Sequence, residues 1–427
     1  MARAIKDIFC RYQTLKGYQV KRKGGWDTHG LPIELAVEAE LGIEKSDIGV
    51  KLSIEEYNRA CRARVMRFKD EWDLLSEQMG YWVDLDDPYI TFESDYIESI
   101  WSLLKKFYDR DLLYKGYSIQ PYSPAAGTGL SSHELNQPGT YRDVTDITVV
   151  AQFKAIRNAE SGVLFEGATG EVFFLAWTTT PWTLPSNTGL AVGKGIRYVQ
   201  VNTTNAYTKD PISVVCAAAL LPSLFGVKGK FDAEIRATAK GKIGGQSVEL
   251  EIIREFKGSD LNGMRYEQLM PFVQPNGDAF RVVIGDFVTT EDGTGIVHIA
   301  PTFGADDFKT GQQNGIVGLM VEYEDGSMGP LVDKRGRFVK EVWDDTFGLG
   351  GEPVKQEYIN DEEIEAAYQD QKERLKHHIP DLKGYLSVDD RIGLKLKLEN
   401  HAFKIEKYKH SYPHCWRTDK PVLYYPL

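Results

Sequence analysis

The sequence predicts an α/β protein in which a helical, aromatic N-terminal region gives way to a longer β-rich one, and three observations carry that reading. Up to about Tyr141, apolar residues recur three or four positions apart. Beyond it, short β-branched stretches alternate with Gly and Asn. The chain has 427 residues, 42% of them hydrophobic and 26% charged, which is enough for two or three separate cores and makes disorder an unsuitable default.

The first helix is read from Ile5, Ile8, Phe9, Tyr12 and Leu15, which share one face. No capping residue and no strand precede them, so the sequence reads as a chain cut short at this end. A second helix is expected from Ser53, which makes a capping box with Glu56, onward through Tyr57, Cys61, Val65, Phe68, Trp72 and Leu75. That face is expected to be core. Ser94 is expected to open a third helix, with Ile97, Ile100, Trp101, Leu104 and Phe107 as a packing stripe. Strands are expected at 147–153, 171–177, 197–201, 213–216, 281–284 and 295–300, and many short strands in series suggest a closed or nearly closed barrel-like domain. The longest apolar run, 212–227, is broken by Pro222 and too short to cross a bilayer, so it reads as a buried strand entering a helix. The charged run 361–378 reads as an exposed helix with His377 and His378 solvated, and 412–427 regains a strand-like pattern.

Charge and cysteine content narrow the function classes. A net charge of −11 argues against holding nucleic acid by bulk electrostatics, although Lys16, Lys21, Arg22 and Lys23 form a local basic stretch that is either a patch or a solvated surface. The four cysteines, Cys10, Cys61, Cys216 and Cys415, show no C-x-x-C spacing, so neither a disulfide framework nor a metal site is expected. His410, His414 and Cys415 come closest to a zinc cluster, but Thr418 stands where a second thiol would be needed. Met1 to Asp7 is polar and leads directly into the first helix, so no signal peptide is expected and the setting is read as reducing and cytoplasmic, without a membrane.

Three strings carry chemistry. The first is Gly25-Trp26-Asp27-Thr28-His29-Gly30-Leu31-Pro32-Ile33-Glu34, whose glycines permit close backbone approach and whose proline starts a helix; it is either a ligand loop or an ordinary strand-to-helix turn. The second is Trp177-Thr178-Thr179-Thr180-Pro181-Trp182-Thr183-Leu184-Pro185-Ser186-Asn187. Its hydroxyls and indoles suit a water, a sugar hydroxyl and a small framed ligand, and equally suit an edge strand. The third is Gly293-Thr294-Gly295-Ile296-Val297-His298-Ile299-Ala300-Pro301, continuing through Gly304 to Asp306-Asp307. A histidine leaving a strand with a carboxylate nine residues on is a candidate base with its partner, or a core histidine and a capping aspartate.

With these strings the chain resembles the isoleucyl-tRNA synthetases, a family of class I aminoacyl-tRNA synthetases, along most of its length. The Trp-Asp-Thr-His-Gly string is closer to the isoleucine enzymes than to the valine or leucine ones, and the Thr-rich peptide is a signature of editing domains in all three. The resemblance implies a partial Rossmann-like catalytic domain over 1–144, an inserted β-barrel-rich editing domain over 145–404, and return strands over 405–427. The spans YSIQPYSPAAGTGLSSHE and SYPHCWRTDKPV resemble the strands where such a chain leaves and rejoins its catalytic domain.

By the same resemblance, Asp27 would grip the amino acid in the synthetic pocket. Asp307, Thr178, Thr179, Thr180 and Asn187 would carry editing, with His298, Trp177 and Trp182 binding substrate. The family's ATP-gripping histidine signature and Lys-Met-Ser-Lys-Ser loop are not in the sequence, so Asp27 is expected to be a relic and ATP with Mg2+ to serve only the full-length parent. Editing itself is expected to need no cofactor or metal. The implied reaction is hydrolysis of valyl-tRNA(Ile), the partner being the acceptor end of tRNA(Ile) carrying valine or isoleucine. The alternatives are a module that docks the acceptor end without turnover, a valyl- or leucyl-type editing domain, and hydrolysis of valyl-adenylate at the same site.

Overall fold

Helical spacing and period-two alternation both translate into real elements in the computed structural model, which describes residues 1–228 and 233–427 and divides into Met1–Gly116 and Tyr117–Leu427. In the first unit, β1 (Lys23–Trp26) and β2 (Asp84–Ile90) pair in parallel. A parallel pair needs a long crossover, supplied here by helices Leu31–Leu41, Ile54–Val65 and Lys69–Gln78. Pro32 sits in the first turn of Leu31–Leu41, where its missing N–H costs nothing. The Ser53 capping box forms as expected: the Glu56 N–H donates to Ser53 Oγ at 3.2 Å, and the Ser53 N–H to Glu56 Oε2 at 3.1 Å.

Two expectations for this unit need correction. The helix that Ser53 opens ends at Val65, and a separate one begins at Lys69. The faces expected to be core are largely exposed: Trp72 is 48% accessible and Trp101, on helix Ser94–Tyr108, 70%. The unit's only buried hydrophobic side chains among the described residues are Val37 and Tyr57. A two-stranded ladder and a few helices offer too little surface to cover these stripes. Guanidinium groups cover part of it, with Arg3 over Trp72 at 4.6 Å and Arg11 over Trp82 at 4.1 Å.

In the second unit, β3 (Ile119–Ser123) and β4 (Thr128–Gly129) lead to β5 (Tyr141–Lys154), β6 (Glu171–Thr178), β7 (Gly189–Val192), β8 (Arg197–Thr204), β9 (Pro211–Ala217), β10 (Thr238–Ile243) and β11 (Gln246–Lys257). Then come β12 (Arg281–Ile284), β13 (Ile296–Ile299), β14 (Val321–Glu322), β15 (Met328–Gly329), β16 (Ala402–Pro413) and β17 (Leu423–Pro426). The main sheet has the order β10-β11-β8-β9-β6-β5-β16, and a second sheet the order β12-β7-β13. The barrel expectation is therefore corrected to an open, mixed, seven-stranded sheet. β10 and β16 remain edges, and the four-residue strands β7, β12 and β13 separate into their own sheet instead of closing the large one.

Alternation assigns the side chains of the main sheet to two cores. On β6, Val172, Phe174 and Ala176 enter one cluster and Phe173 and Leu175 the other. On β11, Val248, Leu250 and Ile252 face inward while Ser247, Glu249 and Glu251 face water. The 212–227 run divides as read, into β9, a 3-10 turn and helix Leu221–Phe225. The charged run forms helix Asp361–Arg374, with His377 and His378 exposed beyond it. The sequence boundaries at 144/145 and 404/405 fall inside β5 and β16, which pair from Tyr141↔Pro413 to Ala402↔Ala151. Among the described residues no helix is long and apolar enough to cross a membrane.

Gly170, which leads into β6, has φ +70°, and a Cβ there would lie 1.8 Å from the carbonyl oxygen of Pro211 at the start of β9. Gly170→Ala is expected to lower stability by roughly 2–4 kcal/mol, because it adds a left-handed residue to a backbone clash. Urea denaturation measures this, and an unchanged midpoint would contradict the close approach.

Candidate functional site

The Thr-rich string and the His-Asp string meet through β7. Chain order runs from β6 into the string, through the 3-10 turn Pro181–Ser186, and on into β7. β13 lies antiparallel to β7 with His298 opposite Leu190, then leads by 300–304 into helix Ala305–Asn314. A cavity of about 350 Å³ opens where these segments converge, lined by Trp177, Thr178, Thr179, Gly293 to His298 and Asp307, with Phe287, Thr289 and Asp292 at its wall. Two glycines at positive φ make the near wall possible: a Cβ on Gly293 would stand 3.0 Å from the Trp177 ring, and one on Gly295 2.4 Å from the Ala217 Cβ.

The hydroxyls are ordered by local bonds. The Thr180 N–H donates to Thr178 Oγ1 at 3.1 Å, and the two threonine hydroxyls lie 3.4 Å apart. The Thr179 side chain lines the cavity and has no hydrogen bond to any described residue, which leaves its hydroxyl free for a ligand. Thr183 Oγ1 donates its one proton to the Thr180 carbonyl at 2.8 Å, so at 3.1 Å from His298 Nε2 it can only accept. The network thus assigns the Nε2–H tautomer to His298. Its Nδ1 is buried without a partner among the described residues. Burial pulls the His298 pKa down to about 4, so the ring is neutral at pH 7.

Asp307 occupies the first turn of its helix, where a carboxylate suits the dipole. Its Oδ2 accepts the Ala300 N–H at 2.9 Å. Although the side chain is only partly covered, its carboxyl is packed closely enough that burial pushes its pKa up to about 7, with Asp306 adding to the rise. Gly304 is required beside it, because a Cβ there would come within 2.7 Å of the Asp307 carboxyl carbon.

Five of the nine residues nominated from sequence line this cavity: Trp177, Thr178, Thr179, His298 and Asp307. Thr180 stands just behind, bonded to Thr178. Two need correction. Asn187 is buried with its amide donating to the Gly189 carbonyl at 2.8 Å and its oxygen accepting from Tyr266 at 2.7 Å, so it pins the turn into β7 and does not line the cavity. Trp182 is a core residue packed edge-on against Phe303 at 5.1 Å. Asp27, expected in the synthetic pocket and not in this cavity, lies in the other unit, exposed at the end of β1. Sequence reasoning overlooked Thr183, although it is one of the hydroxyls in the quoted string, and it overlooked Thr289 and Asp292, which no pattern marks. Among the described residues no three His, Cys, Asp or Glu side chains are grouped to hold a metal. His410 pairs instead with Asp146 at 3.3 Å, and His414 with the Tyr412 carbonyl at 3.0 Å.

A family model for tRNA synthetases class I (I, L, M and V) matches residues 1–407. The chain is 59% identical over its whole length to the isoleucine--tRNA ligase of Cytophaga hutchinsonii and 56% identical to that of Bacteroides fragilis, spanning 36% of each relative. It is 40% identical to the isoleucine--tRNA ligase of Clostridium tetani, of which it spans 33%. The chain therefore covers about a third of the length of the curated relatives it matches. A crystal structure of the P. knowlesi cytosolic leucyl-tRNA synthetase editing domain is 14% identical with a TM-score of 0.28, covering 42% of this chain and 66% of that one, a likeness too slight to carry an argument.

The depressed His298 pKa has a signed consequence for stability. Neutral burial is an advantage present above the unfolded value of 6.5 and lost as pH falls through the folded value of about 4. Replacing His298 by Gln removes this titration. The stability difference between parent and variant is expected to shift against the parent by on the order of 2–3 kcal/mol between pH 7 and pH 4. Denaturation midpoints across that range test it, and parallel curves for the two proteins would refute it.

Proposed function

Because the chain belongs to the class I tRNA synthetases of the isoleucine, leucine, methionine and valine group, we propose that its Tyr117–Leu427 unit is a hydrolytic editing site that removes valine from tRNA(Ile). The observation that carries this reading is one carboxyl, raised to about 7, sharing a cavity with the Thr178 and Thr179 hydroxyls and a neutral histidine. The relatives' names support isoleucine as the cognate amino acid. In the whole protein, a cytoplasmic enzyme, this site would accompany ligation of isoleucine to tRNA(Ile) with ATP and Mg2+, Asp27 gripping the amino acid.

A pocket that welcomes apolar side chains rejects one smaller by a methylene only weakly, and isoleucine-specific synthetases are themselves the standard case of the second sieve this demands. The acceptor end would enter the cavity with its aminoacyl ester. Asp307 Oδ1, left free by the Ala300 bond on Oδ2, would pair with the α-ammonium. The Thr178 and Thr179 hydroxyls would orient the ribose and the attacking water. An aminoacyl ester is already activated, so positioning carries most of the catalysis. The basic test is to incubate the chain with valyl-tRNA(Ile) and time deacylation. Binding without turnover would leave a docking module as the better reading.

Asp307 must be ionised to hold an ammonium, and its raised pKa means it becomes so only as pH rises through about 7. Deacylation kcat/KM is expected to climb over that range, and Asp307→Asn to remove both the climb and on the order of 100-fold in rate, about 3 kcal/mol. A variant that hydrolyses at the parent rate would overturn the assignment.

His298 fills space at the cavity wall, so His298→Ala is expected to admit isoleucine and begin hydrolysing isoleucyl-tRNA(Ile), with a smaller change on the valyl ester. Excluding one methylene is worth about 1–3 kcal/mol in a merely apolar pocket, and a rigid ring can exceed that. Initial rates on both esters decide the matter, since a parallel fall in the two would assign His298 to chemistry rather than size.

A further inference from the structure

Behind the cavity lies a buried charge network that lines no part of it. Asp389, in the first turn of helix Val388–Leu398, is 6% exposed. Its Oδ2 is 3.4 Å from Lys355 Nζ, and that ammonium also donates to Asp146 Oδ2 on β5 at 3.0 Å. Lys355 is 7% exposed and stands 5.0 Å over the Tyr412 ring of β16. Burial pulls the Lys355 pKa down, but Asp389 and Asp146 hold it well above its usual value, so the lysine is charged. Burial raises Asp389, and Lys355 and a backbone N–H pull it back.

That N–H belongs to Trp182, which donates to Asp389 Oδ1 at 2.8 Å. Trp182 follows Pro181 at the start of the 3-10 turn Pro181–Ser186, so its amide is one of the orphans every helical turn leaves at its first residues. A carboxylate 207 positions away in sequence supplies the cap that the local sequence does not. The turn so fixed carries Thr183, which holds both His298 Nε2 and the Thr180 carbonyl, and it directly follows Thr178 to Thr180.

We propose that Asp389, braced by Lys355, is a positioning residue: by holding the Trp182 amide it sets the turn that aligns the cavity's threonine hydroxyls and His298. The inference deepens the hydrolytic reading and rests on it for its effect on rate. A charge-assisted bond to a backbone amide is stronger than a neutral one, and a carboxylate, having no proton to offer, can only accept there. Because Asp307 is not part of this network, losing Asp389 acts on the alignment of reacting groups and leaves the ammonium grip intact.

The test compares Asp389→Ala with the double variant Asp389→Asn and Lys355→Met, which keeps an acceptor for Trp182 and removes the buried Asp389 and Lys355 charges together, leaving the partly exposed Asp146 carboxylate to water and to His410 at 3.3 Å. In Asp389→Ala, amide exchange at Trp182 is expected to rise at least about tenfold, the His298 ring nitrogen signals to move, and kcat to fall about 10- to 100-fold, with KM changed less than about threefold. The double variant is expected to restore Trp182 protection and bring kcat within about threefold of the parent. Parent-like exchange, ring signals and kcat in Asp389→Ala overturn the proposal, as do equal losses in the two variants. If Asp389→Ala fails to fold, the double variant alone decides, retained kcat and protection supporting the proposal and their loss overturning it. If the parent does not hydrolyse valyl-tRNA(Ile), the hydrolytic reading falls, while Trp182 exchange and the His298 signals still decide the positioning role.

Discussion

The 3.1 Å bond from His298 Nε2 to the Thr183 hydroxyl joins the two halves of the cavity, and the rest of the site depends on it. The two residues are 115 positions apart, and the β7 register brings them together. β7 sits between β12, parallel to it, and β13, antiparallel, so the string that feeds β7 and the string that forms β13 become spatial neighbours. A slip of one residue in that pairing would send His298 to the opposite face. Asn187 guards the register from the other end, since its bonds to the Gly189 carbonyl and to Tyr266 fix where β7 begins.

The cavity holds a buried polar atom without a partner among the described residues, which most of a core avoids. That atom is His298 Nδ1, and the half-buried Thr179 hydroxyl in the same cavity has no bond to a described residue. Asp307 is held as a carboxyl that burial makes reluctant to ionise. The orphaned ring nitrogen and the reluctant carboxyl are costs in the free protein, and an arriving ammonium would relieve that of Asp307 by drawing its pKa back down. Gly304 belongs to the same balance, because any side chain there would displace the carboxyl.

The sequence was legible where local chemistry repeats. The Ser53 capping box, Pro32 in its first turn, the 281–284 strand and the charged helix all follow from rules that need only a few neighbouring residues. The two strings that line the cavity stood out through the family resemblance, since their local chemistry suited an edge strand, a core histidine and a capping aspartate equally well. What stayed hidden is what pairing over distance decides. Nothing local distinguishes Trp182, whose ring is core, from Trp177, whose ring lines the cavity, although they are five positions apart. Asn187 looked free because its partner Tyr266 is 79 residues on. The barrel was read from the number and shortness of strands, but closure depends on whether the edge strands find each other, and β10 and β16 do not. The stripes at Trp72 and Trp101 carried helical spacing without the opposing surface that would make it a core.

The electrostatics of His298 bear on which of its two roles the cavity favours. A ring whose protonated form is stable only below about pH 4 is a weak base, and proton transfer to it from a water would be steeply uphill at neutral pH. Its one free nitrogen is the buried Nδ1, while Nε2 is committed to Thr183. Rotating the ring to present Nε2 would break the bond that joins the two strings. The same features suit a wall: the ring is neutral, so it does not repel the ammonium that Asp307 would hold, and it is fixed by a hydrogen bond and a β-strand, so it cannot yield to a larger side chain. The pKa that disqualifies His298 as a base is thus produced by the burial that makes it rigid, and within the hydrolytic reading the steric role follows from the packing itself.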